Sequence, residues 1–189
     1  MTNTTVLSPR KINTQKFALY TGLASIVMLF AALTSAYIVK KYDTDWLHIN
    51  FPAAFYISSG IIIISSFFMY RSVRAYREAK YSEYKLMITT TLVLGYAFVL
   101  FQYLGYVALM KSGVTLKGNP AGSFLYVISW LHLAHVVGGL AFLKVATWKA
   151  WRRPYNPNRL NAIEITSTYW HFVGGLWIYL FIFFLSNNP

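Results

Sequence analysis

Residues 163–186 read IEITSTYWHFVGGLWIYLFIFFLS, a stretch that carries one carboxylate, Glu164, one histidine, His171, and no Lys, Arg or Asp. A helix needs about 20 mainly apolar residues to cross a hydrocarbon core of about 30 Å, so this segment reads as a membrane span. Working back from it, four further stretches meet the same requirement, at about residues 17–39, 52–70, 86–110 and 122–148. The pattern predicts an all-α fold, a polytopic bundle of five transmembrane helices over residues 17–186, after a polar tail of residues 1–16. The connections are short and polar, too small for a second domain, and no internal repeat is evident.

Composition leads the same way. Of 189 residues 57% are hydrophobic, more than a soluble domain of this size can bury. The 17 basic residues outnumber the five acids, yet they fall between the apolar runs, so their placement is topological and a nucleic-acid partner is not expected. The absence of Cys removes disulfides, iron-sulfur clusters, thiolate copper and Cys-type zinc sites. The opening MTNTTVLSPRKINTQK has no short apolar core and no small-residue cleavage site, so insertion is expected to depend on the first span.

Basic residues also assign an orientation. Twelve of them (Arg10, Lys11, Lys16, Arg71, Arg74, Arg77, Lys80, Lys85, Lys149, Arg152, Arg153 and Arg159) fall on one side of a five-span bundle. Four (Lys40, Lys41, Lys111, Lys117) fall on the other, and Lys144 lies inside the fourth span near its basic end. The bias places the N-terminus in the cytoplasm and the C-terminus in the periplasm. The segment RSVRAYREAK is expected to continue the second helix, with Arg71, Arg74 and Arg77 at i, i+3, i+6. Together with Arg152 and Arg153 they form a basic patch that either reads topology alone or attracts anionic lipid.

Polar side chains at membrane depth need a partner or a purpose. The candidates are Gln102 in the third span, His132 and His135 in the fourth, and Glu164, Trp170 and His171 in the fifth, expected to form a structural polar network. Helical spacing puts Glu164, Thr168, His171 and Gly175 on one face, and His132, His135 and Gly139 on another. Thr91, Gly95, Gln102 and Tyr106 align in the third span, and Gly22, Ser25, Ala32 and Ala36 in the first. Such stripes let helices approach and bond across, so the four are expected to face one another. A haem shared by two histidines would need them at equal depth. His171 lies about 8 residues and His135 about 13 from the basic ends of their spans, an offset of roughly 7 Å. A dinuclear site would want several carboxylates. The histidines are therefore expected to be structural and hydrogen-bonded, with no catalytic, cofactor or metal residue in the chain.

Two of these spans also carry a resemblance. SWLHLAHVVGGLAFL, with His132, His135, Val136, Gly138 and Gly139, and AIEITSTYWHFVGGLWIYLFIF, with Glu164, Tyr169, Trp170, His171, Phe172, Val173 and Trp177, resemble the most recognisable stretches of subunit III of the haem-copper terminal oxidases. LASIVMLFAALTSAYIV and the Phe101-Gln102 stretch with GVTLKGNPAGSFLYV extend the likeness over about residues 17–186, in a short form lacking the family's first two helices. Three acids common in the family are replaced, by Ile26, Gly105 and Gly174.

The resemblance implies a non-catalytic accessory subunit of a bacterial inner-membrane cytochrome c oxidase, which reduces oxygen to water with proton translocation. Haems and copper are expected in the partner subunits, and subunits I and II and phospholipids as partners. A small subunit or lipid is expected where the missing helices would lie. Competing readings are a subunit III homologue of a quinol oxidase or nitric oxide reductase, a small transporter, and a haem-binding electron carrier. A transporter would show broken helices or pore-lining charges, and the sequence shows neither.

Overall fold

The computed structural model describes residues 14–42, 46–116, 119–152 and 160–188. Its regular elements are five α-helices: α1 Thr14–Lys41, α2 Ala53–Arg77, α3 Tyr81–Lys111, α4 Pro120–Arg152 and α5 Leu160–Ser186. All five are long and apolar enough to cross a membrane. They outrun the predicted spans mostly at the basic end, where α2 continues to Arg77, α3 begins at Tyr81 and α4 continues to Arg152. Backbone hydrogen bonds close inside a helix, so helices extend past the hydrocarbon until a cap stops them.

The caps are legible atom by atom. At the end of α2 the Lys80 N–H donates to the Ala75 carbonyl (2.9 Å) and the Ala79 N–H to Tyr76 (3.2 Å), while Ala79 takes φ +58°. At the end of α3 Val114 donates to Leu109 and Gly113 to Met110, both at 3.2 Å, with Gly113 at φ +85°. These are two copies of one left-handed helix stop. Asn119 opens α4 by accepting the Ala121 N–H on its side chain (2.9 Å), and Pro120 follows at the first helical position, where a missing N–H costs nothing.

α2 and α3 form the closest-packed pair; α5 lies against α2 and α4, and α3 against α4, so these four enclose the core. α1 sits outside them, against α4 and α5, through Leu23, Phe30, Thr34 and Tyr37. Phe30 points edge-on at His132 and His135, and Tyr37 enters a ring cluster with Trp46, Phe124, Phe183 and Phe184. At the end of the bundle opposite the basic one, the connection after α1 is tied to the residues that follow α5: the Ile49 N–H donates to Asn188 Oδ1 (2.9 Å) and Asn188 Nδ2 donates back to the Ile49 carbonyl (2.8 Å).

The expected meeting of four stripes does not occur. Thr91, Gly95, Gln102 and Tyr106 on α3 are buried, as are His132 and Gly139 on α4, but Gly22, Ser25, Ala32 and Ala36 on α1 are all exposed. The aromatic face of α1 has more surface to bury than the small-residue face, so it takes the contact. On α5 the inward ridge is Trp170, Trp177, Phe181 and Phe184. This rotates Glu164, Thr168, His171 and Gly175 out of the core.

Candidate functional site

The interior polar contacts run through α2. Gln102 Nε2 donates to Ser58 Oγ (3.1 Å), Trp177 Nε1 to Ser59 Oγ (2.9 Å), and Trp170 Nε1 to Ser65 Oγ (3.1 Å). Each serine passes its own proton on, Ser58 and Ser59 to the Phe55 carbonyl and Ser65 to the Thr91 carbonyl across to α3 (3.3 Å). Trp170 thus links α5, α2 and α3 through one hydroxyl. Gly95 makes room for its ring, since a Cβ there would stand 2.8 Å from the indole and 2.6 Å from Leu140.

None of these serines was among the candidate residues. The signal was present in residues 57–66, ISSGIIIISS, where Ser58 and Ser65, like Ser59 and Ser66, stand seven residues apart and so return to the same helix face after two turns. Histidine drew attention by its chemistry, whereas serine is the small donor and acceptor that bonds helices in lipid.

The histidines behave differently from expectation. His132 is 1% exposed, stacked on Trp177 (centroids 5.4 Å) and edge-on to Phe30 and Phe98. Neither of its ring nitrogens has a hydrogen-bond partner among the described residues. His135 Nδ1–H donates to the Leu131 carbonyl of its own helix (2.7 Å); the bond that crosses to α5 is from the Tyr169 hydroxyl to the His135 carbonyl (3.1 Å). His171 is half-buried in a cleft between α1, α2 and α5. The His132 and His135 rings pack against aromatic neighbours, and the cross-helix bonding falls to Ser, Trp, Gln and Tyr. No group of three or more His, Asp or Glu converges in metal-binding geometry among the described residues.

Glu164 closes the basic end. Lys16 Nζ of α1 lies 2.9 Å from Oε2 and Arg77 Nη2 of α2 lies 2.7 Å from Oε1, so one carboxylate ties three helices. The other two described acids also hold cations: Glu83 pairs with Arg71 (2.8 Å), and Glu78 with Arg74 (2.8 Å) and Lys80 (2.7 Å). The Arg74 and Lys80 partners hold the exposed Glu78 carboxyl down at about 2. The basic patch is therefore largely neutralised from within at Arg71, Arg74 and Arg77. Arg152 is exposed at the end of α4, and Arg153 lies outside the described residues.

The three positions at which the resemblance implies an acid are closely packed. The Phe55 ring lies against Gly105, where a Cβ would stand 2.9 Å from it, and Ile62 and Ser66 close on Gly174 at 3.3 Å. Ile26 packs partly buried against the core.

A family model described as "Cytochrome c oxidase subunit III" matches residues 53–187, which span α2 to α5 and both motif-bearing helices. Among curated relatives, "Cytochrome c oxidase subunit 3" of Corynebacterium diphtheriae is 29% identical over 168 residues, covering 85% of this chain and 82% of the relative. "Probable cytochrome c oxidase subunit 3" of Mycobacterium leprae is 29% identical over 164 residues, covering 84% and 81%. "Cytochrome c oxidase subunit 3" of Synechocystis sp. is 29% identical over 167 residues, covering 87% and 68%. A bundle of five membrane-spanning helices, the two His-bearing motifs on α4 and α5, and a match over most of the chain meet in one conclusion: the chain belongs to the cytochrome c oxidase subunit III family, as an accessory subunit of a haem-copper oxidase.

Proposed function

We propose that this subunit acts by packing rather than by chemistry of its own, bracing subunits I and II of a bacterial inner-membrane oxidase that takes electrons from cytochrome c. In this reading oxygen reduction and the haems and copper belong to those partners, and no residue of this chain is catalytic. Phospholipids surround the bundle, and a small subunit or lipid covers the outer face of α1. The basic end of the bundle faces the cytoplasm and the Ile49–Asn188 end faces the periplasm.

The observation that carries the reading is where the interior donors go. Gln102, Trp170 and Trp177 each donate to a serine of α2, and at the basic end Lys16 and Arg77 donate to the Glu164 carboxylate. These groups serve as struts between helices. A proton relay would need titratable groups within hydrogen-bond reach across the bilayer, and outward from His132 α4 offers Ser129 and Tyr126, which donate to the Leu125 and Val114 carbonyls.

Purification through an affinity tag on this chain tests the proposal. Haem-copper subunits should copurify, with oxygen uptake driven by reduced cytochrome c, and the chain expressed alone should be colourless. A Soret band that stays with the isolated chain in stoichiometric amount and is lost in His135→Ala would overturn the non-catalytic assignment.

A further inference from the structure

We propose that one buried water molecule is a structural ligand of this chain, held between α3 and α4 by Gln102 Oε1 and the His132 ring. Both residues are 1% exposed, and both have hydrogen-bonding capacity to spare. Gln102 Oε1 and the two ring nitrogens of His132 meet no partner among the described residues. Gln102 commits an amide proton to Ser58 (3.1 Å), and the Ser58 proton goes on to the Phe55 carbonyl, so Ser58 has none to return to Oε1. A neutral imidazole carries one N–H donor and one acceptor nitrogen, and on His132 both are unanswered.

Ring contacts place the two groups at one level of the bundle. α3 and α4 run antiparallel: Tyr106 meets Tyr126 (centroids 6.0 Å) and Trp130 (6.1 Å), and Phe98 meets His132 (6.5 Å). Gln102 stands one turn from Tyr106 and one from Phe98 on the same face of α3, hence opposite the turn of α4 that carries His132. From α5, Trp177 closes the site. Its ring stacks on His132 (5.4 Å) while its Nε1–H goes to Ser59 (2.9 Å), the chain neighbour of the serine that holds Gln102.

The occupant follows from what these atoms lack. At 1% exposure they are out of reach of lipid and of side chains from another subunit. A cation would need a counter-charge, and the three described carboxylates are held by Lys and Arg at the basic end. What fits is a small neutral molecule that donates to Oε1 and to the bare ring nitrogen and can accept from the ring N–H. Water does this, and buried polar atoms without protein partners are where proteins keep ordered water. At membrane depth bulk solvent offers no alternative. The path ends at this site, because Ser129, the next hydroxyl along α4, gives its proton to the Leu125 carbonyl (2.6 Å). The water therefore joins α3 to α4 as the serines join α2 to α5. The inference rests on the oxidase reading only for the choice of complex in which to test it.

The test is a cryo-electron-microscopy map of the whole oxidase in lipid nanodiscs, at a resolution that shows ordered water. One solvent peak should lie within about 3 Å of both Gln102 Oε1 and a His132 ring nitrogen. It should be lost in His132→Phe, which keeps a ring against Trp177 and Phe98 but no nitrogen. A wild-type map with no peak there, or with Gln102 bonded directly to His132, overturns the proposal whether or not the variant assembles. So does a peak that persists unchanged in His132→Phe. If the chain does not copurify with oxidase subunits, the accessory assignment has failed instead, and magic-angle-spinning NMR of the chain alone, in lipid and with isotope-labelled histidine, decides the site. The His132 ring nitrogens, identified by their loss in His132→Phe, should then show a cross-peak from bound water, and its absence overturns the proposal.

Discussion

Glu164 joins α1, α2 and α5 through one carboxylate. Its carboxylate is 22% exposed, while its partners Lys16 and Arg77 are 41% and 59% exposed. The carboxylate is the shared and better-shielded member, so its loss should matter more than the loss of either cation. Glu164→Gln is expected to destabilise the packing of α1 and α2 on α5 by about 1–3 kcal/mol, read as earlier thermal dissociation of the subunit from the oxidase. Protons ejected per electron by the reconstituted mutant should not change; loss of pumping at a normal rate of oxygen reduction would refute the packing role. Ser65→Ala leaves the Trp170 indole N–H without its acceptor and should cost about 1–3 kcal/mol. Ser66→Ala, whose hydroxyl makes no hydrogen bond to another helix among the described residues, is the control. Glu164 could be selected from the sequence because a lone acid in an apolar run stands out. Its partner Lys16 could not, since residues 148 apart in the chain reveal their contact only in the fold.

At the scale of elements, the two copies of the left-handed helix stop provide an internal comparison. Gly113 adopts positive φ without steric cost, but Ala79 carries a Cβ in the same conformation, at roughly 1–2 kcal/mol. Ala79→Gly is therefore expected to raise the thermal stability of the subunit, measured by retention in the heated complex, whereas Gly113→Ala should lower it. Glu78, next to Ala79, has its pKa depressed from the ordinary carboxylate range to about 2 by Arg74 and Lys80. A depressed carboxylate stabilises above its unfolded pKa, so the contribution of this turn should be unchanged between about pH 8 and about pH 5, and lost as the pH falls from about 4.5 towards 2. Gly105→Glu should fail to assemble while Phe55 is present, because its Cβ meets that ring at 2.9 Å; pairing it with Phe55→Ala should recover expression. The five helices were legible in the sequence because length and apolarity are local properties. Which face each helix buries was not: on α1 a regular small-residue stripe lost to Phe30 and Tyr37, whose value depends on the rings they meet on α4 and α5.

For the whole molecule, the expected topology is testable by fusion: cytoplasmic reporters should be active after Arg77 or Arg153 and periplasmic reporters after Lys117 or Asn188, with the opposite pattern refuting the orientation. The family was legible because its motifs lie in two continuous helices, whereas the serine spine of α2 was not, because its meaning depends on donors 44 to 118 residues away. Those separations set a timetable for the growing chain. Helices leave the ribosome in order, so α2 and α3 can form their close hairpin early, with Ser58 already met by Gln102. Ser59 and Ser65 must then wait in the membrane for Trp177 and Trp170 of α5, and the brace between Ile49 and Asn188 closes after them. For most of its biogenesis this subunit is a half-built bundle with hydroxyls turned to a groove that α5 has yet to fill, and it is in that interval that an insertase or a partner subunit has the most to offer it.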